Sequence, residues 1–328
     1  MTTFTRRKLL TSLCLSTAAL FSVSALAQDV YPSKPIRIVM PYTPGGPTDS
    51  VARIVARSIS TQLGQPVIVE NRGGASSAIG THYVVRQPAD GYTLLLVAAH
   101  LVTNSAMGMQ MPYDPVKDLT PVATLAWMPL LVAVTPNVPV KDLNALIAWI
   151  RKQDKPVQYA TAGEGSVPQF WGELFAQKNK LSLQHVPYKG STEAVRATIA
   201  GDVPLLIDVG GITATMISQG KLTGIVTPGS ERAPGLLNLQ TVREAGVLDL
   251  EANSFVGLMG PANMPAAVRG KLNAAVNRAL KEPDVAAAIV RLSLTPAGGT
   301  PEEFSKSLSS ALTRWSEVAR TAGIKAAK

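Results

Sequence analysis

Short apolar runs and amphipathic stretches alternate along most of the chain. Ile36 to Tyr42 (IRIVMPY) is an apolar run of strand length and reads as a buried strand. Thr43-Pro44-Gly45-Gly46-Pro47-Thr48 reads as a turn. Thr48 or Asp49 can cap a helix whose Val51, Ile54, Val55 and Ile59 share one face, and Gly64 ends it. Val67 to Val69 is a second strand. Asn71 to Ser77, with Gly73 and Gly74, is a second turn, leading into a helix through about Gln87. Thr93 to Ala98 is a third strand. This strand–turn–helix rhythm predicts a parallel sheet with crossover helices.

The rhythm restarts in the middle of the chain. Leu130 to Val134, Val157 to Tyr159, His185-Val186, Leu205 to Asp208 and Leu222 to Val226 read as strands. Asp142 to Lys152 reads as a helix with Leu143, Leu146, Ile147 and Ile150 on one side. Thr161 to Ser166 is a third small-residue turn, and Pro168 suits the first turn of the helix after it. Pro187 to Thr192 is a fourth, followed by a helix to Ala200. Phe255 to Met259 is a further strand, and Ala266–Leu280, Asp284–Leu292 and Glu302–Ala322 are helical. The fold class this predicts is α/β in two lobes: 28–126 with 254–328, and 127–253.

The N-terminal residues change the picture of where the chain works. Arg6, Arg7 and Lys8 precede an apolar stretch from Leu9 to Val23, and Ala25-Leu26-Ala27 reads as a small-x-small cleavage site. This is the pattern of a secretory signal peptide over 1–27, so the chain is expected in the periplasm. Thr5-Arg6-Arg7 leaves a twin-arginine route open. Cleavage after Ala27 removes three cations and no acid, lowering the formal charge from +9 to +6. It also removes the single cysteine, Cys14. The remaining basic residues form no run interleaved with aromatics, which argues against nucleic acid as a partner. The three histidines, His82, His100 and His185, have no spacing that suggests a zinc site.

Four strand-to-helix turns carry Gly with Ser or Thr, around Gly45, Gly74, Gly163 and Gly190. A helix N-terminus offers unpaired N–H groups and the positive end of the dipole, so such turns suit an anion. Gly46 in particular is expected at positive φ, close to a ligand. In open α/β sheets these turns gather at the carboxyl ends of strands, where ligands bind. There is no GxxxxGK[ST] loop, no strand-linked GxGxxG and no GxSxG. By elimination a carboxylate is the more natural anion.

An ordered series of blocks resembles the Bug family, the periplasmic solute-binding proteins of tripartite tricarboxylate transporters. The blocks are YPSKPIRIVMPYTPGGPTDSVAR (31–53), VIVENRGGASSAIG (67–80), ADGYTLLLV (89–97), YDPVKDLTPVA (113–123), YATAGEGS (159–166), HVPYKGSTEAV (185–195), QGKLTGIV (219–226), TVREAGV (241–247) and GGTPEEF (298–304). The resemblance implies a two-lobe, type II periplasmic binding fold with the ligand cleft between lobes. It implies no catalysis, cofactor or metal. The implied ligand is a small carboxylate, bound by a monomer and delivered to a membrane permease with a large and a small subunit. Carried onto this chain, the implied first-lobe residues are Tyr42, Gly45, Gly46, Thr48, Asp49, Gly74, Ala75, Ser76 and Ser77, with His100 after the third strand. Those of the second lobe are Thr161, Gly163, Ser166, Tyr188 and Asp208. Gly45, Gly46, Gly74 and Ala75 are expected to present N–H groups, and Thr161 and Ser166 hydroxyls.

The chain departs from the family in three places. Ser254-Phe255 stands where a Trp is common, Val209-Gly210-Gly211 lacks an amide after Asp208, and Glu164 puts a carboxylate inside a proposed anion loop. Glu164 is therefore expected to point outward. Two other function classes remain open at this level: a periplasmic carboxylate sensor engaging a signalling partner, and a secreted enzyme. No nucleophile–base pair or carboxylate dyad supports the latter.

Overall fold

β1 (Ile36–Met40) buries four of its five residues, as a strand covered on both faces must. The computed structural model describes residues 31–326, so the expected leader at 1–27 lies outside the described residues. From Lys34 onward the chain packs as one unit. After β1 come α1 (Pro47–Leu63), β2 (Val67–Asn71), α2 (Ala78–Val85), β3 (Thr93–Ala98), α3 (His100–Ala106) and β4 (Leu119–Met128). The middle of the chain supplies β5 (Leu130–Val134), α4 (Leu143–Arg151), β6 (Val157–Thr161), α5 (Val167–Asn179), β7 (Leu183–Pro187), α6 (Ser191–Ala200), β8 (Leu205–Val209), α7 (Gly211–Ser218) and β9 (Thr223–Val226). Then follow β10 (Ser254–Pro261), α8 (Ala266–Lys281), α9 (Pro283–Arg291), β11 (Thr295–Gly298) and α10 (Pro301–Ala322).

The strands form two sheets, one in each lobe. The first has six strands in the order β11-β4-β10-β3-β1-β2, and the second five, in the order β7-β6-β8-β5-β9. Both are mixed, which corrects the parallel expectation. β1 is parallel to β2 and β3, and β6 to β7 and β8. β10 returns from the second lobe and runs antiparallel between β3 and β4. β5, entered directly from β4, is antiparallel to β8 and β9. Pro121 sits in β4 where β11 does not reach, since β11 pairs only from Thr124 to Trp127. Its missing N–H therefore leaves no ladder bond unmade on that side.

Local signals set the helix ends. Gly64 closes α1 in the left-handed conformation (φ 66°), and the Asp142 carboxylate accepts from the Ala145 N–H at 2.8 Å to start α4. Thr300 and Glu303 form a reciprocal capping box on α10. α10 leaves the first sheet and reaches α5 of the other lobe, where Trp315 meets Phe170 edge-on at 5.8 Å. The buried Trp171 indole donates to the Leu250 carbonyl at 2.7 Å, which satisfies its one polar atom. The main chain crosses between sheets at Met128–Leu130 and again before Ser254. No helix of the described residues is long and apolar enough to cross a membrane.

Candidate functional site

The turn after β1 makes one wall. Gly45 takes the positive φ (92°), whereas Gly46, expected there, is extended at φ −80° and acts as the N-cap of α1. The difference follows from the next residue, since Pro47 favours extended backbone before it. Gly45 does not present its N–H to the cleft: it donates to Asp49 Oδ2 at 3.1 Å. The same oxygen accepts from Arg53 Nε at 3.0 Å, and Asp49 Oδ1 accepts from Asn71 Nδ2 at 3.3 Å. The hydrogen bond from Arg53, above all, holds the Asp49 carboxyl below its usual range. The expected anion contact at Gly45 is thus filled by the loop's own carboxylate.

The turn after β2 is wound left-handed. Gly74 (125°), Ala75 (47°), Ser76 (51°) and Ser77 (76°) all have positive φ. Three consecutive non-glycine residues in that region are strained and persist only where the surroundings hold them. The Asn104 amide, on α3, donates to the Ser76 carbonyl at 2.8 Å and supplies part of that hold. Tyr42 Oη accepts from the Ala98 N–H at 3.1 Å, and burial pushes its phenol well up.

In the second lobe the turn after β6 is braced internally. The Ser166 hydroxyl donates to the Gly163 carbonyl at 2.7 Å and caps α5 through the Gln169 N–H. The Gly165 N–H donates to the Gln169 side chain at 2.7 Å. Thr161 is fully buried behind the turn, its hydroxyl 2.7 Å from His185 Nε2. Burial pulls the His185 imidazole down to about 4. The sequence assigned Thr161 to a ligand; its hydroxyl lies under the loop instead.

These turns face each other across a cavity of about 300 Å³ between the lobes. Of the expected residues, Tyr42, Gly46, Thr48, Asp49, His100, Gly163 and Ser166 line it. An adjoining cavity of about 340 Å³ takes in Ser76 and Ser77. Gly45, Gly74, Ala75, Thr161, Tyr188 and Asp208 line neither. Tyr188 packs beside the apolar cluster of Ala160, Val195 and Leu206. Asp208 is fully buried, and its two oxygens accept from Ser191 Oγ at 2.8 Å and Thr213 Oγ1 at 2.7 Å. Burial raises its pKa despite those bonds. Glu164, expected to point away, lines both cavities. Sequence reasoning missed Thr103, Met128, Val209 and Ser254, which also line the cleft. Thr103 is 1% exposed, and its hydroxyl has no hydrogen-bond partner. His100 opens onto both cavities, yet the surrounding protein desolvates its charged form and lowers its pKa. No Lys or Arg lines the cleft cavity itself. The site can therefore hold a small polar molecule through helix termini, hydroxyls and carboxylates.

A family model described as tripartite tricarboxylate transporter family receptor matches residues 51–324. The chain is similar to the protein BugT of Bordetella pertussis, 32% identical over 302 residues that make up 92% of this chain and 93% of that one. Among solved structures it is similar to the R. palustris protein Rpa4515 with adipate, 32% identical, TM-score 0.75, covering 90% of this chain and 99% of that one. It is also similar to MatC from Rhodopseudomonas palustris with bound malate, 30% identical, TM-score 0.71, covering 88% and 99%.

Proposed function

The chain belongs to the tripartite tricarboxylate transporter receptor family, and from that premise we propose that it binds a small carboxylate outside the cytoplasm and delivers it to a membrane permease with a large and a small subunit. The family is one of solute receptors rather than enzymes. The observation that carries the reading is the cavity between the lobes, with the N-terminus of α1 at Gly46 and Thr48 on one wall and the 162–168 turn on the other. Helix N-termini stabilise an anion through oriented N–H groups without a paired cation. That relatives are solved with adipate and with malate supports a carboxylate.

In this reading the lobes divide at 28–126 with 254–328 and at 127–253, and 1–27 is the leader removed on export. Tyr42, Gly46, Thr48, Thr103, Gly163 and Ser166 contact the ligand, and the lobes close on it. A thermal-shift screen of mono-, di- and tricarboxylates tests the proposal. A specific ligand at 100 times its dissociation constant stabilises the protein by about 2.7 kcal/mol. Stabilisation by neutral sugars alone overturns it. Uptake of that ligand by cells with and without this protein and the permease tests delivery.

A further inference from the structure

Tyr42, His100 and Glu164 line both the cleft cavity and the adjoining one, so they stand where the two meet. The Tyr42 and His100 rings lie 6.1 Å apart with their planes tilted by 51°. Glu164 comes from the other lobe, on the turn before α5. Among the described residues its carboxylate has no hydrogen-bond partner and no ion pair. The cleft's other carboxylate, Asp49, is already paired with Arg53. The junction of the two cavities thus carries a carboxylate without a hydrogen-bond or ion-pair partner, bordered also by the Tyr42 and His100 rings. Resting on the receptor reading above, we infer that this protein takes a carboxylate that also bears an ammonium group, with Glu164 and the Tyr42–His100 pair receiving the ammonium.

When the lobes close, Glu164 loses water, and a buried carboxylate needs a cation or donors. A ligand ammonium supplies both at once, and aromatic faces add attraction for a cation. A second ligand carboxylate at the same place sets like charges together and is penalised. The other end of the ligand keeps its anion site at α1. The second-lobe turn cannot match that site, because its Gly163 and Gly165 N–H groups are spent on Thr161 and Gln169. Thr103 lines the same cavity, and its unpartnered hydroxyl is enclosed by protein. His100, with its pKa lowered, is neutral at pH 7 and does not oppose a cation. Lys325 lines the adjoining cavity but forms no ion pair with Glu164 within 4.0 Å.

Calorimetry decides the matter with amino acids of three to six carbons, both α and ω, against unsubstituted dicarboxylates of matched length. The expected result is at least tenfold tighter binding of an amino member than of its dicarboxylate partner. Glu164→Gln should weaken the amino ligand about tenfold, the loss of one charge-assisted bond, and leave or improve dicarboxylate binding. Because Glu164 is exposed and unbonded, that variant keeps the unliganded melting temperature. Preference for the dicarboxylate, or an amino ligand indifferent to Glu164→Gln, overturns the inference while the receptor reading stands. Weakened dicarboxylate binding in Lys325→Gln also overturns it, since Lys325 then neutralises Glu164. Binding of neither series overturns the inference and leaves the receptor reading to the mono- and tricarboxylates of the thermal-shift screen.

Discussion

Asp49 Oδ2 accepts the Gly45 N–H at 3.1 Å, four residues back along the same loop. The carboxylate takes up the Gly45 N–H and leaves the Gly46 and Thr48 end of α1 to line the cleft. With Arg53 and Asn71 it closes a network that fixes the first wall of the cleft.

Asp49→Asn should therefore destabilise the protein. The amide puts a donor against the Gly45 N–H or Arg53, leaving a part-buried donor unsatisfied at a cost of about 1–3 kcal/mol. The pH dependence has a definite sign. The folded pKa lies below the ordinary 3.8. The contribution is thus complete above the unfolded value and is lost as pH falls through the folded one. Urea titrations from pH 7 to pH 2 should show a shallower acid limb in the variant.

Gly45 and Gly46 should separate folding from binding. Neither glycine's added Cβ meets an atom within 4 Å, but only Gly45 has positive φ. Gly45→Ala should cost on the order of 1 kcal/mol of stability through backbone strain. Gly46→Val adopts its extended backbone freely, costs about 1 kcal/mol as a poorer N-cap than glycine, and intrudes at the α1 N-terminus. Calorimetry should show at least a tenfold loss of affinity. Wild-type affinity in a folded Gly46→Val protein would remove the α1 terminus from the site.

Thr103 offers a cleaner test, because its hydroxyl is buried and unpartnered. Thr103→Val removes the polar atom and keeps the shape. The unliganded protein should be as stable or about 1 kcal/mol more stable, since an unsatisfied buried group is deleted. Ligand affinity should fall by a similar free energy. Chemical denaturation with and without ligand measures both.

Much of the fold was legible because its signals are local. The apolar run at Thr93–Ala98, the helix between Asp142 and Lys152 and the stop at Gly64 stand in the structure as the sequence places them. β4 was not legible: Thr120, Pro121 and Thr124 interrupt its apolar run, and its register against β10 shifts twice. The antiparallel return of β10 was also hidden, since apolar patterning carries no strand direction. In the site, the turns were readable as a class but not the partners of their polar atoms. Thr161 is spent on His185, and Gly45 on Asp49, through contacts that only the folded chain sets. Thr103 gave no sign, being one small residue on a helix not anticipated.

Asp208 was expected in the cleft from its place at the carboxyl end of β8. The structure turns the carboxylate into the protein, between Ser191 and Thr213. Burial lifts its folded pKa above the ordinary 3.8, and the two hydroxyls only partly oppose that. As pH rises from 3.8 to the folded value, the unfolded chain ionises while the folded one keeps its proton. Stability from this group therefore falls with rising pH across that window, opposite in sign to Asp49. Asp208→Asn removes the decline, because an amide has no charge to bury and both hydroxyls can still bond to it. Urea unfolding at a series of pH values should show wild type losing ground to the variant as pH rises from about 4 toward neutrality. The calorimetric ligand profile should stay unchanged, since Asp208 lines neither cavity. A shifted ligand preference in the folded variant would return Asp208 to the recognition set.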